Sequence, residues 1–162
     1  MNGLQKYLPV FIVFFIIGIG NLCFAETKIN LDSFKIDEKS KIELKSNSMV
    51  FNTETNVTEF FDEVVVTYGA LELHSDKLKI IKSNNLEFYA VGSIIISSGN
   101  NIITGQEAYF DTKNQTAIVS GSVTLSIGGN TISGENLELN LRDGIAKILG
   151  SVKTVLTPTQ GK

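Results

Sequence analysis

Three stretches of this chain spell one pattern. Asp62–Ile80 reads DEVVVTYGALELHSDKLKI, Gly92–Phe110 reads GSIIISSGNNIITGQEAYF, and Gly121–Leu139 reads GSVTLSIGGNTISGENLEL. In each, apolar and polar residues alternate with period two, the mark of a strand with one buried face. Val64, Ile94 and Val123 correspond, as do Val66, Ile96 and Leu125. Further along, Leu73, Ile103 and Ile132 match, then Leu78, Ala108 and Leu137, then Ile80, Phe110 and Leu139. Gly69, Gly99 and Gly128-Gly129 fall at matching places between the two runs of each unit, where a tight turn demands positive φ. A two-strand unit cannot bury its oily face alone and must stack on copies of itself. The expected fold is therefore all-β: an elongated stack of antiparallel hairpins with a long apolar seam, not a compact ball.

The pattern runs past the three units. Leu44, Met49 and Phe51 match Leu73, Leu78 and Ile80 as a leading half-repeat, and Gly150–Val155 restarts the pattern at the end. Ile42 and Leu44 alternate with Glu43 and Lys45. Asn84-Asn85, Asn100-Asn101, Asn114 and Asp143-Gly144 supply more turn residues. No window after residue 25 shows a helical stripe.

The first 25 residues stand apart. Lys6 precedes an apolar run, Leu8 to Ile19, and Cys23-Phe24-Ala25 offers small residues where a signal peptidase reads. The expected organisation is a secretory signal peptide over 1–25 and a single domain over 26–162. The alternatives are an uncleaved membrane anchor, for which the run is short, and a lipoprotein, for which Leu22 is the wrong neighbour of Cys23. Cleavage after Ala25 removes the single cysteine, so disulfides and thiolate chemistry go with it. Losing Lys6 takes the formal net charge from −3 to about −4. That mild acidity argues against nucleic acid, whose phosphates need a basic surface.

Residues that carry catalysis are missing from the pattern. His74 is the single histidine and sits on a polar strand face, so no metal set and no Ser-His-Asp arrangement can be completed. Gly128-Gly129 lies in a repeated turn and not between a strand and a helix, so it is no phosphate loop. Asp62 and Glu63, as neighbours on a strand, are expected to face opposite ways, which does not suit a carboxylate pair. Lys77, Lys79 and Lys82 read as a solvated strand face. Asn56-Val57-Thr58 and Asn114-Gln115-Thr116 match a glycosylation sequon by chance. No catalytic residue, metal or cofactor is expected.

An apolar seam without reactive groups can still do work. Each CH₂ of an acyl chain costs roughly 0.8 kcal/mol to expose to water, so a multi-chain lipid does not cross an aqueous gap unaided. The expected lining is Ile42, Leu44, Met49, Phe51, Val64 and Val66, continuing through Leu71, Leu73, Ile94, Ile96, Ile103 and Phe110. The ends of such a stack present unpaired strand edges, normally an aggregation hazard. Here they can pair domain to domain: Val152, Val155 and Leu156 at the last strand against Ile29 and Leu31, or Ile42 to Leu44, at the first. That contact does not close and builds rods.

Lys41–Asn52, Glu63–Ile80, Ser120–Leu139 and the tail Val152–Gln160 carry a further reading. Their order, the phrase G-x-V-x-L-x-x-G-x-x-x-x-x-G-x-x-L, and the Val-Leu-x-Pro tail resemble the LptA family of periplasmic lipopolysaccharide-export proteins of Gram-negative bacteria, with its OstA-like domain. The resemblance covers nearly all of residues 26–162. It implies a β-jellyroll in a slightly twisted V-shaped groove, with lipopolysaccharide acyl chains between the sheets. It also implies head-to-tail self-association, an LptC-like inner-membrane partner and an LptD-like outer-membrane partner, with energy from a separate ATPase. The stretch Lys82–Gly92 is shorter than the insertion relatives often carry there. Three competitors remain: a membrane-anchored LptC-like sibling, a structural β-solenoid with a closed core, and a carbohydrate-active β-solenoid enzyme. The last needs clustered carboxylates on an outer face, where this chain mixes Lys, Ser, Asn and Glu.

Overall fold

The structure, a computed structural model, describes residues 28–37 and 39–157. The segment expected to be a signal peptide lies outside these residues. Eleven strands follow in chain order. They are β1 (Lys28–Asn30), β2 (Ile42–Lys45), β3 (Ser48–Asn52), β4 (Val57–Tyr68), β5 (Leu71–Lys82), β6 (Leu86–Ser98), β7 (Asn101–Asp111), β8 (Thr116–Ile127), β9 (Asn130–Asn140), β10 (Ile145–Leu149) and β11 (Lys153–Val155). A 3-10 turn, Asp32–Phe34, follows β1. All strand pairs are antiparallel and join into one sheet, ordered β1-β10-β9-β8-β7-β6-β5-β4-β2, with β3 also on β4 and β11 also on β9. The stack of hairpins expected from the repeats is what forms.

The long strands are bent along one line. Register slips between Phe61 and Val64, between His74 and Lys77, between Val91 and Ile94, between Thr104 and Glu107, and between Ser120 and Val123. At that line Asp62-Glu63, Gly92-Ser93 and Gly121-Ser122 all have positive φ, from +46° to +82°. Two left-handed residues in succession insert a bulge and turn the strand sharply. Asp62 and Glu63 are thus part of a bulge, and the alternation expected for them does not hold. The breaks between β2 and β3 and between β10 and β11 continue the line at both ends. Each strand consequently contributes to two half-sheets that fold over one another.

Half-sheet A holds β2, β11 and the halves of the long strands that meet at Gly69, Gly99 and Gly128-Gly129. Half-sheet B holds β3, β10, β1 and the other halves. Three of its loops, 53–56, 112–115 and 141–144, share one form: Asn52, Asp111 and Asn140 each accept two backbone N–H bonds from the turn that follows, at 2.8–3.2 Å. Asn56, Gln115 and Gly144 take the left-handed position at φ +52°, +51° and +65°. Both sets of turns lie opposite the bend line and form the two lips of a mouth.

The core fills the angle of the V. Leu78, Ile103, Val119, Leu125 and Leu137 are fully buried between the half-sheets. Each such side chain contributes roughly 1.5–3 kcal/mol over exposure. At the bend the packing leaves no room for Cβ atoms: one added at Gly134 would lie 2.4 Å from Ile148 Cγ2 and 2.9 Å from the Leu149 carbonyl oxygen. Ser75 holds the corresponding place on β5, where its buried Oγ finds no hydrogen-bond partner among the described residues.

Among the described residues, 31–37 and 39–41 form an irregular segment with a structural role of its own. The chain leaves β1, which pairs with β10 at the far end of the sheet, and returns along the mouth to β2. Leu31 N–H donates to Gly144 O and Ile36 N–H to Leu141 O, both on the half-sheet B lip. Ser98 Oγ donates to Ser33 O, and Asn101 Nδ2 donates to Ser33 Oγ at 2.7 Å, both from the half-sheet A lip.

Candidate functional site

The inner faces of the two half-sheets build the site. Cross-strand register carries one unbroken apolar row through half-sheet A, from Leu44 to Val66, Leu73, Ile96, Ile103, Leu125 and Ile132. The matching row of half-sheet B runs from Met49 to Phe60, Leu78, Ala90, Ala108, Val119, Leu137 and Ile148. These rows exist because period-two alternation puts every second residue on one face, and antiparallel register lines those faces up.

Toward the mouth the two faces separate around an apolar cavity of about 70 Å³. Ile42, Val66, Leu71, Leu73 and Ile96 wall it from half-sheet A, and Phe88, Phe110, Ala117 and Leu139 from half-sheet B. Phe110 packs against Phe88 at 5.8 Å between ring centroids and reaches across to Tyr68 at 5.9 Å. Ala117 is the small residue in that row and makes part of the space.

Of the residues expected to line the seam, Ile42, Val66, Leu71, Leu73, Ile96 and Phe110 therefore meet at the cavity. Leu44 is half-buried on the same face. Val64 and Ile94 sit deeper toward the bend, and Ile103, beside Ile96 in the half-sheet A row, is covered by other side chains. Met49 and Phe51 lie on the inner face of half-sheet B, but at the open end of the stack, and are 57% and 55% exposed. Ile36, Tyr68, Leu141 and the three half-sheet B residues above also line the cavity and were not expected. The repeat alignment already made Leu139 the counterpart of Phe110, so a signal existed there; Ile36 had none, because it arrives through the irregular segment between β1 and β2.

The end strands differ from expectation. Ile29 and Leu31 were expected at the edge opposite Val152, Val155 and Leu156. The structure puts β1 on β10 instead, at the same end as β11, and buries Leu31 completely. The apolar leader residue is drawn into the core, carrying the first strand to the far edge. The opposite edge is formed by β2 and by β3, all five residues of which are exposed. Val152, Val155 and Leu156 are also exposed, so both ends of the stack carry uncovered apolar strand.

A recess of about 400 Å³ at the mouth is lined by Ser40, Ile42, Tyr68, Leu86, Thr112, Lys113 and Gln115. It shares Ile42 and Tyr68 with the apolar cavity, so the apolar interior leads out past a polar rim. The rim is held by Asp111. Burial pushes its carboxyl up, but hydrogen bonds from Asn114, Asn85 and the Lys113 N–H outweigh this and hold it below the ordinary aspartate value. The outward faces mix polar side chains with exposed apolar ones such as Val91, Ile95, Ile102 and Ile118. Lys77 bridges Glu59 at 2.8 Å and covers the Phe61 ring. Tyr89 donates to Glu87 at 2.8 Å, which, with burial, pushes its phenol up to about 12. His74 pairs with Glu72 at 2.6 Å. Among the described residues no His, Cys, Asp and Glu side chains group to hold a metal, and no helix is long and apolar enough to cross a membrane.

No curated protein matches the chain in sequence. Among solved structures, the fold matches that of LptH from Pseudomonas aeruginosa, described as the LptA-homologous periplasmic component of the lipopolysaccharide transport device. The TM-score is 0.68 at 16% identity, over 75% of this chain and 99% of that one. Residues 43–145 match the family described as LptA/(LptD N-terminal domain) lipopolysaccharide transport protein. That match spans well over half of the sequence and includes all three repeats, so the chain belongs to the LptA/LptD N-terminal domain family of lipopolysaccharide transport proteins.

Proposed function

We propose that this chain is a periplasmic bridge that takes lipopolysaccharide from the inner to the outer membrane, with the acyl chains held between the half-sheets. The observation that carries the reading is the unbroken apolar row of half-sheet A, facing a cavity that opens past a polar rim. Acyl chains are solvated along the row, and the saccharide head emerges where Ser40, Thr112 and Lys113 stand. The role is that of a carrier and not a catalyst. Residues 1–25 act as the export signal for a single domain over 26–162. Ile42, Val66, Leu71, Leu73, Ile96 and Phe110 touch lipid; Leu44, Met49 and Phe51 extend that path toward one end of the stack, Ile103 continues the row beside Ile96, and Val64 and Ile94 support it from below.

The test is photo-crosslinking in living cells from Ile42, Val66 and Ile96 in turn, with outward-facing Lys79 as control. Lipopolysaccharide adducts are expected at the three inner sites and none at Lys79. A folded, exported protein without adducts anywhere would leave a closed structural solenoid as the better reading.

The partners follow from the ends. Exposed β3 at one end and β11 at the other suit edge pairing with like domains: further copies, an LptC-like protein on the inner-membrane side and an LptD-like one on the outer. A row that ends on Met49 at an open edge continues only if another domain is added. Replacing Met49 and Phe51 together by Lys puts charge on an exposed edge at little cost to the fold. The double variant is expected to run as a monomer by light scattering at concentrations where the unaltered protein forms concentration-dependent oligomers. Unchanged oligomers would rule out the β3 edge.

A further inference from the structure

Residues 31–36 lie where the proposed cargo lies. This segment crosses the mouth and is fastened to both lips, by Ser33 to Ser98 and Asn101 on one side and by Leu31 and Ile36 to Gly144 and Leu141 on the other. Its three apolar side chains point inward: Leu31 is 1%, Phe34 0% and Ile36 8% exposed, and Ile36 forms part of the cavity wall. Gly144 lets the segment lie close, since a Cβ there would stand 2.7 Å from the Leu31 carbonyl oxygen. The remaining cavity of about 70 Å³ is far below the roughly 300–1,000 Å³ of sites that enclose drug-sized ligands, and several acyl chains need more still.

We infer that residues 31–36 form a displaceable strap, an internal substitute for an acyl chain, which must leave the mouth for cargo to occupy this part of the groove. The inference rests on the lipid-carrying reading above. Its physical basis is competition: strap and acyl chain bury their apolar surface against the same walls, so only one can hold the space at a time. The strap is built for release. Its fastening is four hydrogen bonds and three side chains, and among the described residues β1 behind it pairs with β10 through Lys28, Ile29 and Asn30. The Asp32–Lys35 ion pair at 2.6 Å is on the solvent side and adds little hold. Withdrawal also bares the β10 edge, which ties cargo uptake to the end of the stack where a neighbouring domain docks.

The test locks the strap. In the full chain with Cys23→Ser, the substitutions Ser33→Cys and Asn101→Cys join two side chains already in contact, and oxidation closes the strap on the lip. Binding of the fluorescent fatty acid cis-parinaric acid is titrated before and after reduction. The oxidised form is expected to bind about tenfold more weakly than the reduced form, which, having lost the Asn101–Ser33 hydrogen bond, is expected to bind at least as tightly as the unaltered protein. A second variant, Ile36→Ala, loosens the strap and enlarges the cavity, and is expected to bind the probe a few-fold more tightly. Equal binding by oxidised and reduced forms, with no gain from Ile36→Ala, overturns the strap alone. Absence of binding by every form overturns the lipid reading and the strap with it.

Discussion

Leu78→Ala is expected to cost about 3 kcal/mol, within the roughly 2–5 kcal/mol range for large-to-small changes in a packed core. Leu78 is fully buried in the middle of half-sheet B, with Phe60 and Ala90 as cross-strand partners and half-sheet A above it. No neighbour can collapse into the space, because both flanking strands are held by their own ladders. For a domain of this size the melting temperature should fall by about 10 °C, measured by circular dichroism or calorimetry. Met49 is the comparison: it lies in the same apolar row, yet it is 57% exposed, and Met49→Ala should change stability by less than about 0.5 kcal/mol. Equal losses at both positions would mean that the half-sheets do not face each other as described.

Gly134→Ala is expected to destabilise by about 1–3 kcal/mol, although alanine is the mildest substitution possible. The added Cβ would meet Ile148 Cγ2 at 2.4 Å and the Leu149 carbonyl oxygen at 2.9 Å. The side chain can turn away, but the carbonyl belongs to a ladder and cannot. The corresponding place on β5 behaves in the opposite sense. Ser75 already has a Cβ there, and its buried hydroxyl has no partner among the described residues, so Ser75→Ala should be neutral or slightly stabilising. Chemical denaturation of both variants reads the contrast. A Gly134→Ala protein as stable as its parent would show that the strands do not approach so closely at the bend.

Much of the candidate site could be read before any fold was known, and the reason is the register. Val66, Leu73 and Ile96 were placed on one face by alternation, and antiparallel pairing then brought them to one row. What alternation does not carry is depth. Val64 and Val66 look alike in sequence, yet Val64 is packed under the bend and Val66 faces the cavity. Met49 and Leu78 hold equivalent repeat positions, and their opposite burial follows from where each strand stands in the stack.

The bend line was written in the sequence without being legible as such. Gly92-Ser93 and Gly121-Ser122 recur at the same place in their repeats, but Asp62-Glu63 occupies that place in the first, and two acidic residues do not announce positive φ. Local sterics tolerate the left-handed conformation there only because the ladders on both sides enforce it.

The sequence by itself determined the strands of the repeats, their hairpin pairing and their apolar faces, because period-two alternation and turn glycines act over a few residues. It determined the family as well, through the order of the repeats. The tertiary structure alone decided that one sheet folds over itself, that β1 crosses to β10, and that Leu31, Phe34 and Ile36 lie in the mouth. Those three side chains sit in a short run without periodicity, and their burial depends on lips formed by Ser98, Asn101, Leu141 and Gly144, far along the chain. A contact of that kind is set by which surfaces remain open once the ladders have formed, and no local pattern encodes it.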